Sequence, residues 1–247
     1  MRARGTVPGM GHNPRGRCYL LLVLKLRDLG PLEQLRAGRL PRRLVQLVFG
    51  LFLFGLSIAL LITAHLGSMP WDVLHQGLAK LLPLSIGGVM VLTGLTVLLL
   101  WIPLREVPSL GTLANALLIG LFTDVWLRVL PDPADLPGSL AWRVAYVALG
   151  ITLNGLSTAL YMGSQLGRGP RDGLMTGLAR VTGRSIRLVR TGIEVAVVAV
   201  GFLLGGVLGW ATLAFALLIG PLVQAFLPYM VVELPAPPAE PGEARAA

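Results

Sequence analysis

The sequence predicts an all-α polytopic membrane bundle of about six transmembrane helices, arranged as two inverted three-helix repeats. Of its 247 residues 54% are hydrophobic and only 13% are charged, a composition typical of integral membrane proteins. Several apolar segments reach the length of roughly 20 residues that a helix needs to cross a bilayer. Two long stretches also match each other at an offset of 100 residues.

The two ends of the chain differ from the apolar middle. Residues 1–43 hold ten of the 21 Lys and Arg residues, and we interpret them as a basic cytoplasmic tail, partly disordered or interfacial. The apolar run 19–24 within this tail is too short for a signal peptide or a span. Residues 228–247 are rich in Pro, Ala and Glu and should be disordered. The single cysteine, Cys18, excludes a disulfide framework.

Between the tails lie the apolar segments, which should be helices because backbone groups in lipid must be satisfied internally. The first segment carries no charge between Arg43 and His65, whereas Arg187, Arg190 and Glu194 crowd the start of the fifth. The six predicted spans are 44–66, 84–104, 110–130, 141–162, 186–204 and 207–227.

Positive charges in the loops predict the orientation of these spans, because cytoplasmic loops are enriched in Lys and Arg. The connection after the first span has only Lys80, so it should lie outside the cell. The fourth loop and the helix start after it should lie inside, since they carry Arg168, Arg171, Arg180, Arg184, Arg187 and Arg190. This places both termini in the cytoplasm of a cell whose inner membrane holds the protein.

The internal match identifies two repeats. It rests on residue types that rarely coincide by chance, namely the pairs Gly55/Gly155, Gly67/Gly167, Pro70/Pro170, Asp72/Asp172 and Gly77/Gly177. Each repeat has three spans, and because three is odd the second repeat should enter the membrane from the opposite side. The predicted organisation is a tail (1–43), a first repeat (44–130), an external loop (131–140), a second repeat (141–227) and a tail (228–247). Many secondary transporters have inverted repeats and bind substrate where the halves meet.

The segment LGSMPWDVLHQGLA, from Leu66 to Ala79, together with GTLANALLIG from Gly111, resembles the bacterial YczE-like integral membrane proteins, which are grouped with YyaS and YitT. The resemblance covers roughly residues 43–227. It implies a multi-spanning inner-membrane protein, and it implies no particular molecular role.

The repeated motif LGxxPxD predicts a short helix after the first span of each repeat. Pro70 and Pro170 suit the first position of a helix, where a missing N–H is harmless. Asp72 and Asp172 then occupy the third position, where a carboxylate favours the positive end of the helix dipole and can reach a free amide.

Two arrangements of these short helices are compatible with the sequence. The apolar residues after Pro70 alternate with Asp72, His75, Gln76 and Lys80, as in an amphipathic helix on the membrane surface. Alternatively, both helices re-enter the bilayer from opposite faces, and their N-termini converge on a site for anionic groups. In that case the differences Trp71/Arg171 and His65/Gln165 would make one side aromatic and the other basic.

Polar residues inside spans are the other candidates, because burying them in hydrocarbon is costly. Asp124 either pairs with Arg128 one turn later or serves as a proton- or cation-coupling carboxylate. Glu194 should pair with Arg190. Asn115, Asn154 and Thr93 either hydrogen-bond between helices or contact a solute. The candidate binding residues are Pro70, Trp71, Asp72, His75, Asn115, Asp124, Pro170, Arg171 and Asp172.

The sequence contains no recognisable catalytic motif, so we expect no enzyme activity and no cofactor. No metal site is expected, because His65 and His75 lack further ligands in sequence. The basic residues sit at span ends, so we expect no nucleic-acid binding. Two functions remain: a transporter or permease for a small solute, and a non-transporting accessory protein that assembles or anchors a membrane protein partner.

Overall fold

The computed structural model describes residues 30–235, so the expectations for residues 1–29 and 236–247 lie outside the described part. Within it the chain forms nine α-helices, a short 3-10 helix at Pro133–Asp135, and no β-strand. The helices are α1 Pro31–Arg36, α2 Leu40–Thr63, α3 Pro70–Ala79, α4 Ile86–Leu104, α5 Leu110–Val129, α6 Ser139–Gly163, α7 Pro170–Thr182, α8 Ile186–Leu203 and α9 Trp210–Met230.

The long helices have the length and surface of membrane spans. In the described part, α2, α4, α5, α6 and α9 are long and apolar enough to cross a bilayer. The sixth long helix, α8, matches the predicted fifth span and carries Arg187, Arg190 and Glu194. Large apolar side chains face outward, for example Ile102 at 72% and Leu203 at 83% exposure. These observations confirm an all-α polytopic membrane bundle.

Both predicted tails are shorter at their inner ends than expected. α2 begins at Leu40 rather than residue 44, and Arg43 is fully buried. α9 continues to Met230, after which Val232 docks between helices. The Val232 N–H donates to the Gly163 carbonyl at 2.9 Å, and its carbonyl accepts from Gln165 Nε2 at 2.7 Å. Hydropathy predicts these boundaries incorrectly because it treats Arg43 as a residue that must face water. In the structure other parts of the protein surround its polar atoms.

The connection predicted as an external loop carries the 3-10 helix and joins α5 to α6. Asp132 Oδ2 lies 3.0 Å from His65 Nε2, at the end of α2. The backbone N–H of Ala134, and then the His65 side chain, lower the pKa of Asp132 by stabilising its carboxylate. This contact fixes the loop against the end of α2.

Local structure repeats at the same 100-residue offset as the sequence. α3 and α7 begin at Pro70 and Pro170, and α4 and α8 begin at Ile86 and Ile186. Ser85 caps α4 and Ser185 caps α8, each with its side-chain oxygen. The first repeat therefore comprises α2 to α5 and the second comprises α6 to α9.

The two repeats pack through their first helices, which run antiparallel. A Cβ on Gly50, near the middle of α2, would lie 3.0 Å from Leu160 Cβ, near the end of α6. The reciprocal contact also exists, since a Cβ on Gly150 would lie 2.9 Å from Leu61 Cγ. Small residues thus allow close approach of the two backbones.

Each short helix packs against the opposite repeat. α3 lies against α8, and its counterpart α7 lies against α4. Backbone hydrogen bonds are exchanged in the same way, from Ala211 N to Leu66 O at 3.0 Å and from Gly111 N to Leu166 O at 2.9 Å. The short helices are consequently enclosed between the repeats.

The repeats differ at their last two helices. α4 packs tightly on α5, where a Cβ on Gly120 would lie 2.4 Å from the Gly87 carbonyl oxygen. α8 and α9 are not packed in this way. Arg187 replaces the glycine of position 87, and a Cβ on Gly220 would meet no atom within 4 Å. A gap, which we call the α8–α9 cleft, therefore remains in the second repeat.

Candidate functional site

A cavity of about 390 Å³ lies between the two repeats. Both repeats contribute equivalent positions to its wall, including the pairs Pro70/Pro170, Trp71/Arg171, His75/Met175, Met90/Arg190, Gly94/Glu194 and Asn115/Phe215. Its volume lies in the range of pockets that bind small molecules, roughly 300–1,000 Å³. The cavity is thus centred on the interface that the duplication creates.

The N-termini of α3 and α7 meet at this cavity. Met69 and Gly169 are extended, and the following prolines start the helices at the cavity wall. Burial distinguishes the two predicted arrangements of α3. Asp72 and His75 are fully buried, so the polar face of α3 points into the protein and not to water. The expectation of an amphipathic surface helix is therefore wrong for α3.

Asp72 and Asp172 lie in the first turns of α3 and α7, as expected, but other side chains bind their carboxylates. Asp72 Oδ1 lies 3.1 Å from His75 Nδ1, and no side-chain cap forms at the start of α3. Asp172 accepts a hydrogen bond from the Tyr161 hydroxyl at 3.0 Å. α7 likewise lacks a side-chain cap.

Trp71 and Arg171 occupy equivalent positions and stack on each other. The Arg171 guanidinium carbon lies 4.9 Å from the centre of the Trp71 ring, a cation–π contact. Trp101 Nε1 donates to the Pro170 carbonyl at 3.0 Å and holds the start of α7. Arg171 forms no hydrogen bond with any residue of the described part, so its donors remain available to a ligand.

Three buried polar atoms near the cavity also lack a hydrogen-bond partner among the described residues. They are Trp71 Nε1, Asp72 Oδ2 and His75 Nε2. Buried polar atoms in native proteins are nearly always paired with protein or water, so these three atoms are candidates to contact water or a ligand. Trp71 and His75 line the cavity, and Asp72 lies behind His75.

Arg190 and Glu194 line the cavity at the α8–α9 cleft. Arg190 Nε lies 2.8 Å from Glu194 Oε1, which confirms the predicted ion pair. Their side chains are 56% and 31% exposed, so this wall is accessible from outside the protein. The cleft therefore forms an entrance to the cavity.

The remaining polar candidates have separate roles. Asn115 lines the cavity next to Gly169. Asn154 Nδ2 donates to Ser57 Oγ at 2.8 Å, which confirms hydrogen bonding between helices. Thr93 hydrogen-bonds within its own helix, to Val89 O.

Asp124 binds the start of α4 and not Arg128, the partner expected from the sequence. Its carboxylate accepts from Gly87 N at 2.8 Å and from the Ser85 hydroxyl, so it caps the N-terminus of α4. It forms no ion pair with Arg128 within the described part. It does not line the cavity between the repeats.

His65 and Gln165 also lie outside the cavity wall. Both residues adopt left-handed backbone conformations at the ends of α2 and α6, with φ of 53° and 54°. The prediction that the difference between His65 and Gln165 shapes the two sides of the site is therefore wrong.

Sequence reasoning missed Tyr161 and Trp101, which hold Asp172 and the start of α7. Their counterparts at the 100-residue offset are Leu61 and Gly201, so the duplication gives no signal for them. The offset does relate Arg43 to Arg143, which sequence reasoning also did not identify. Arg43 Nε donates to the Ser164 carbonyl, and Arg143 Nε donates to the equivalent Ala64 carbonyl.

Similarity to known proteins covers the helical bundle. Residues 41–228 match the model of a family of unknown function, DUF6198. An uncharacterized protein of Haemophilus influenzae is 41% identical over 194 residues, which cover 78% of this chain and 87% of the relative. The uncharacterized membrane protein YczE of Bacillus subtilis is 32% identical over 184 residues, 74% of this chain and 84% of the relative.

The uncharacterized protein YyaS of Bacillus subtilis is 31% identical over 180 residues, 72% of this chain and 89% of the relative. No solved structure matches the chain. These similarities confirm the resemblance that the LGxxPxD segment indicates. The chain therefore belongs to the DUF6198 family of unknown function and is a YczE-like integral membrane protein.

Proposed function

We propose that this protein is a secondary transporter of the bacterial inner membrane that carries a small solute with an anionic group. The observation that carries the proposal is the cavity between the repeats, which has an entrance at the α8–α9 cleft. The equivalent path between α4 and α5 is closed by the contact of Gly87 with Gly120. A site that is open on one side and closed at the equivalent place on the other is what alternating access requires.

An inverted orientation of the two repeats would suit this mechanism. α2 and α6 run antiparallel, as expected if the repeats enter the membrane from opposite sides. The Arg-rich segment around Arg184 would then lie in the cytoplasm, and both termini with it. Because α8 starts next to Arg184, the α8–α9 cleft would open to the cytoplasm.

The charges of the cavity favour a solute with an anionic group. Arg190 is paired with Glu194, and Asp172 is bound by Tyr161. Arg171 is the charged residue of the wall without such a partner in the described part. The helix N-termini beside it also favour negative charge.

The remaining wall suits an apolar body on the same solute. It consists largely of aromatic and flexible apolar side chains, namely Phe54, Met69, Met90, Met162, Met175 and Phe215. Thioether side chains adapt to ligands of irregular shape. An organic anion with a compact apolar body would therefore match both parts of the cavity.

The other function considered is a non-transporting accessory protein. A sealed interior with every polar group paired would favour it. The unpaired atoms of Trp71, Asp72 and His75 beside an accessible cavity favour a solute instead. The proposal involves no catalytic step.

Single-cysteine labelling tests the proposal without knowledge of the substrate. In a Cys18→Ser background, Val223→Cys in the α8–α9 cleft should react with a membrane-impermeant maleimide in inside-out vesicles. Thr123→Cys, its counterpart in α5, is fully buried and should react slowly, and from the periplasmic side. Slow reaction is expected because a transporter must visit the opposite state.

Denatured protein provides the control, since both cysteines should then react completely. Continued protection of Thr123→Cys from the periplasmic side would contradict transport and favour the accessory function. Equal and fast reaction of both cysteines from one side would contradict a closed path between α4 and α5.

A further inference from the structure

We propose that Asp72 and His75 form the proton site of this transporter, and that its proton loads together with the anion at Arg171. The inference rests on the proposed function. It assigns the coupling ion and the residues that carry it. We call these two residues the Asp72–His75 pair.

The geometry of the Asp72–His75 pair suits proton uptake. Both side chains are fully buried, and a single hydrogen bond of 3.1 Å joins Asp72 Oδ1 to His75 Nδ1. His75 Nε2 has no partner in the described part, and His75 lines the cavity. With Nδ1–H donating to Asp72, Nε2 of the neutral ring has a free lone pair that can take a proton from cavity water.

Proton uptake changes the charge of this pair. With a neutral imidazole the buried pair carries one negative charge, which faces the Arg171 cation. A proton on Nε2 makes it a neutral ion pair, with Asp72 still a carboxylate and Nδ1–H still donated to it. When the site faces the other side of the membrane, the proton leaves from the same nitrogen, so protons balance over the cycle.

The second repeat lacks an equivalent of this pair. Met175 stands where His75 stands in the first repeat, and Asp172 is held by Tyr161. The duplication therefore gives two aspartates at equivalent positions but only one aspartate–histidine pair.

Arg171 connects the proton to the anion. It interacts electrostatically with Asp72 and with Asp172. While the pair is deprotonated, Asp72 competes with any anion for Arg171. Protonation of His75 cancels that competing charge, so the anion and the proton favour each other's binding, and this coupling must be reciprocal.

Few other titratable groups face the pair. α7 contributes Arg171 and Asp172, α6 contributes Tyr161, and α8 contributes Arg190 with Glu194 at the cleft. α4, which packs beside α3, carries no titratable residue between Ile86 and Leu104. On α3 itself, Lys80 lies at the far end and donates to Gly205 O.

Nuclear magnetic resonance of ¹⁵N-histidine in the full chain, reconstituted in lipid nanodiscs, tests the assignment. The chain has three histidines, and His75→Gln identifies the signal of His75. We expect His75 to gain a proton within the pH range where the protein stays folded. Arg171→Gln should raise its titration midpoint by about one pH unit, because a nearby cation opposes protonation.

Three variants serve as matched comparisons. Arg171→Lys keeps the charge and should keep the midpoint near that of the wild type. Asp72→Asn should lower the midpoint by about one unit or more, because the carboxylate stabilises imidazolium. Arg105→Gln, an exposed loop residue, should leave it unchanged.

A His75 that never gains a proton, or a midpoint equal in wild type and Arg171→Gln, would overturn the proton site. Neither result depends on the accessibility of Val223→Cys and Thr123→Cys. Failure of this inference is therefore distinguishable from failure of the proposed transport function.

Discussion

Replacement of Arg43 by alanine should lower the free energy of unfolding by about 3 kcal/mol, because its buried guanidinium binds the end of another helix. Nε donates to the Ser164 carbonyl at 2.8 Å and Nη2 to the Gln165 carbonyl at 2.7 Å. Nη1 donates to Gln34 O at 2.5 Å. The last carbonyls of a helix lack partners within the helix, so the end of α6 loses its cap in Arg43→Ala.

Thermal unfolding of the purified protein in detergent measures this effect. The loss corresponds to a fall of roughly 6–12 °C in melting temperature. Arg42→Ala is the control, because Arg42 is exposed and adjacent to Arg43 in sequence. That variant should stay within about 0.5 kcal/mol of wild type. Equal melting temperatures of Arg43→Ala and Arg42→Ala would contradict the role given to Arg43.

The second large effect concerns the packing of α4 on α5. Gly120→Ala places a Cβ 2.4 Å from the Gly87 carbonyl oxygen, a distance that the two backbones can relieve only by moving apart. We expect a loss of about 2 kcal/mol in the free energy of unfolding. Thermal unfolding measures this loss as well.

Gly220→Ala, the same change at the equivalent position of the second repeat, is the matched control. A Cβ there meets no atom within 4 Å. Alanine also favours helix over glycine by up to about 1 kcal/mol, so this variant should be neutral or slightly more stable. Equal destabilisation by both alanines would show that α8 packs on α9 as α4 packs on α5, contrary to the structure.

Local sequence signals predicted the features that depend on a few neighbouring residues. Pro70 and Pro170 mark the exact starts of α3 and α7, because proline suits the first helical position. The offset of 100 residues also recurs in Ser85 and Ser185, which cap α4 and α8. These signals need no knowledge of tertiary contacts.

Other features depend on contacts between residues far apart in sequence. Arg43 looked like the end of a tail because hydropathy counts arginine as a polar residue, yet carbonyls 121 and 122 residues away surround it. Asp124 looked like the partner of Arg128, one turn along the helix. Its actual partners are Ser85 and Gly87, on the neighbouring α4.

The site was predictable in part. Pro70, Trp71, His75, Asn115, Pro170, Arg171 and Asp172 all line the cavity, and Asp72 lies behind it. An amphipathic pattern does not say whether its polar face meets water or a buried cavity, so the orientation of α3 required the structure. The stacking of Arg171 on Trp71 likewise could not be predicted, because it depends on the packing of each short helix against the other repeat.

The most direct test of the central claim, two oppositely oriented repeats around one site, is a labelling experiment at equivalent loop positions. Leu84 and Arg184 are both exposed and stand 100 residues apart, before α4 and α8. In intact cells that carry the Cys18→Ser background, a membrane-impermeant maleimide should label Leu84→Cys. It should label Arg184→Cys only after the membrane is permeabilised. Labelling of both cysteines from the same side would contradict inverted repeats and the transport mechanism built on them.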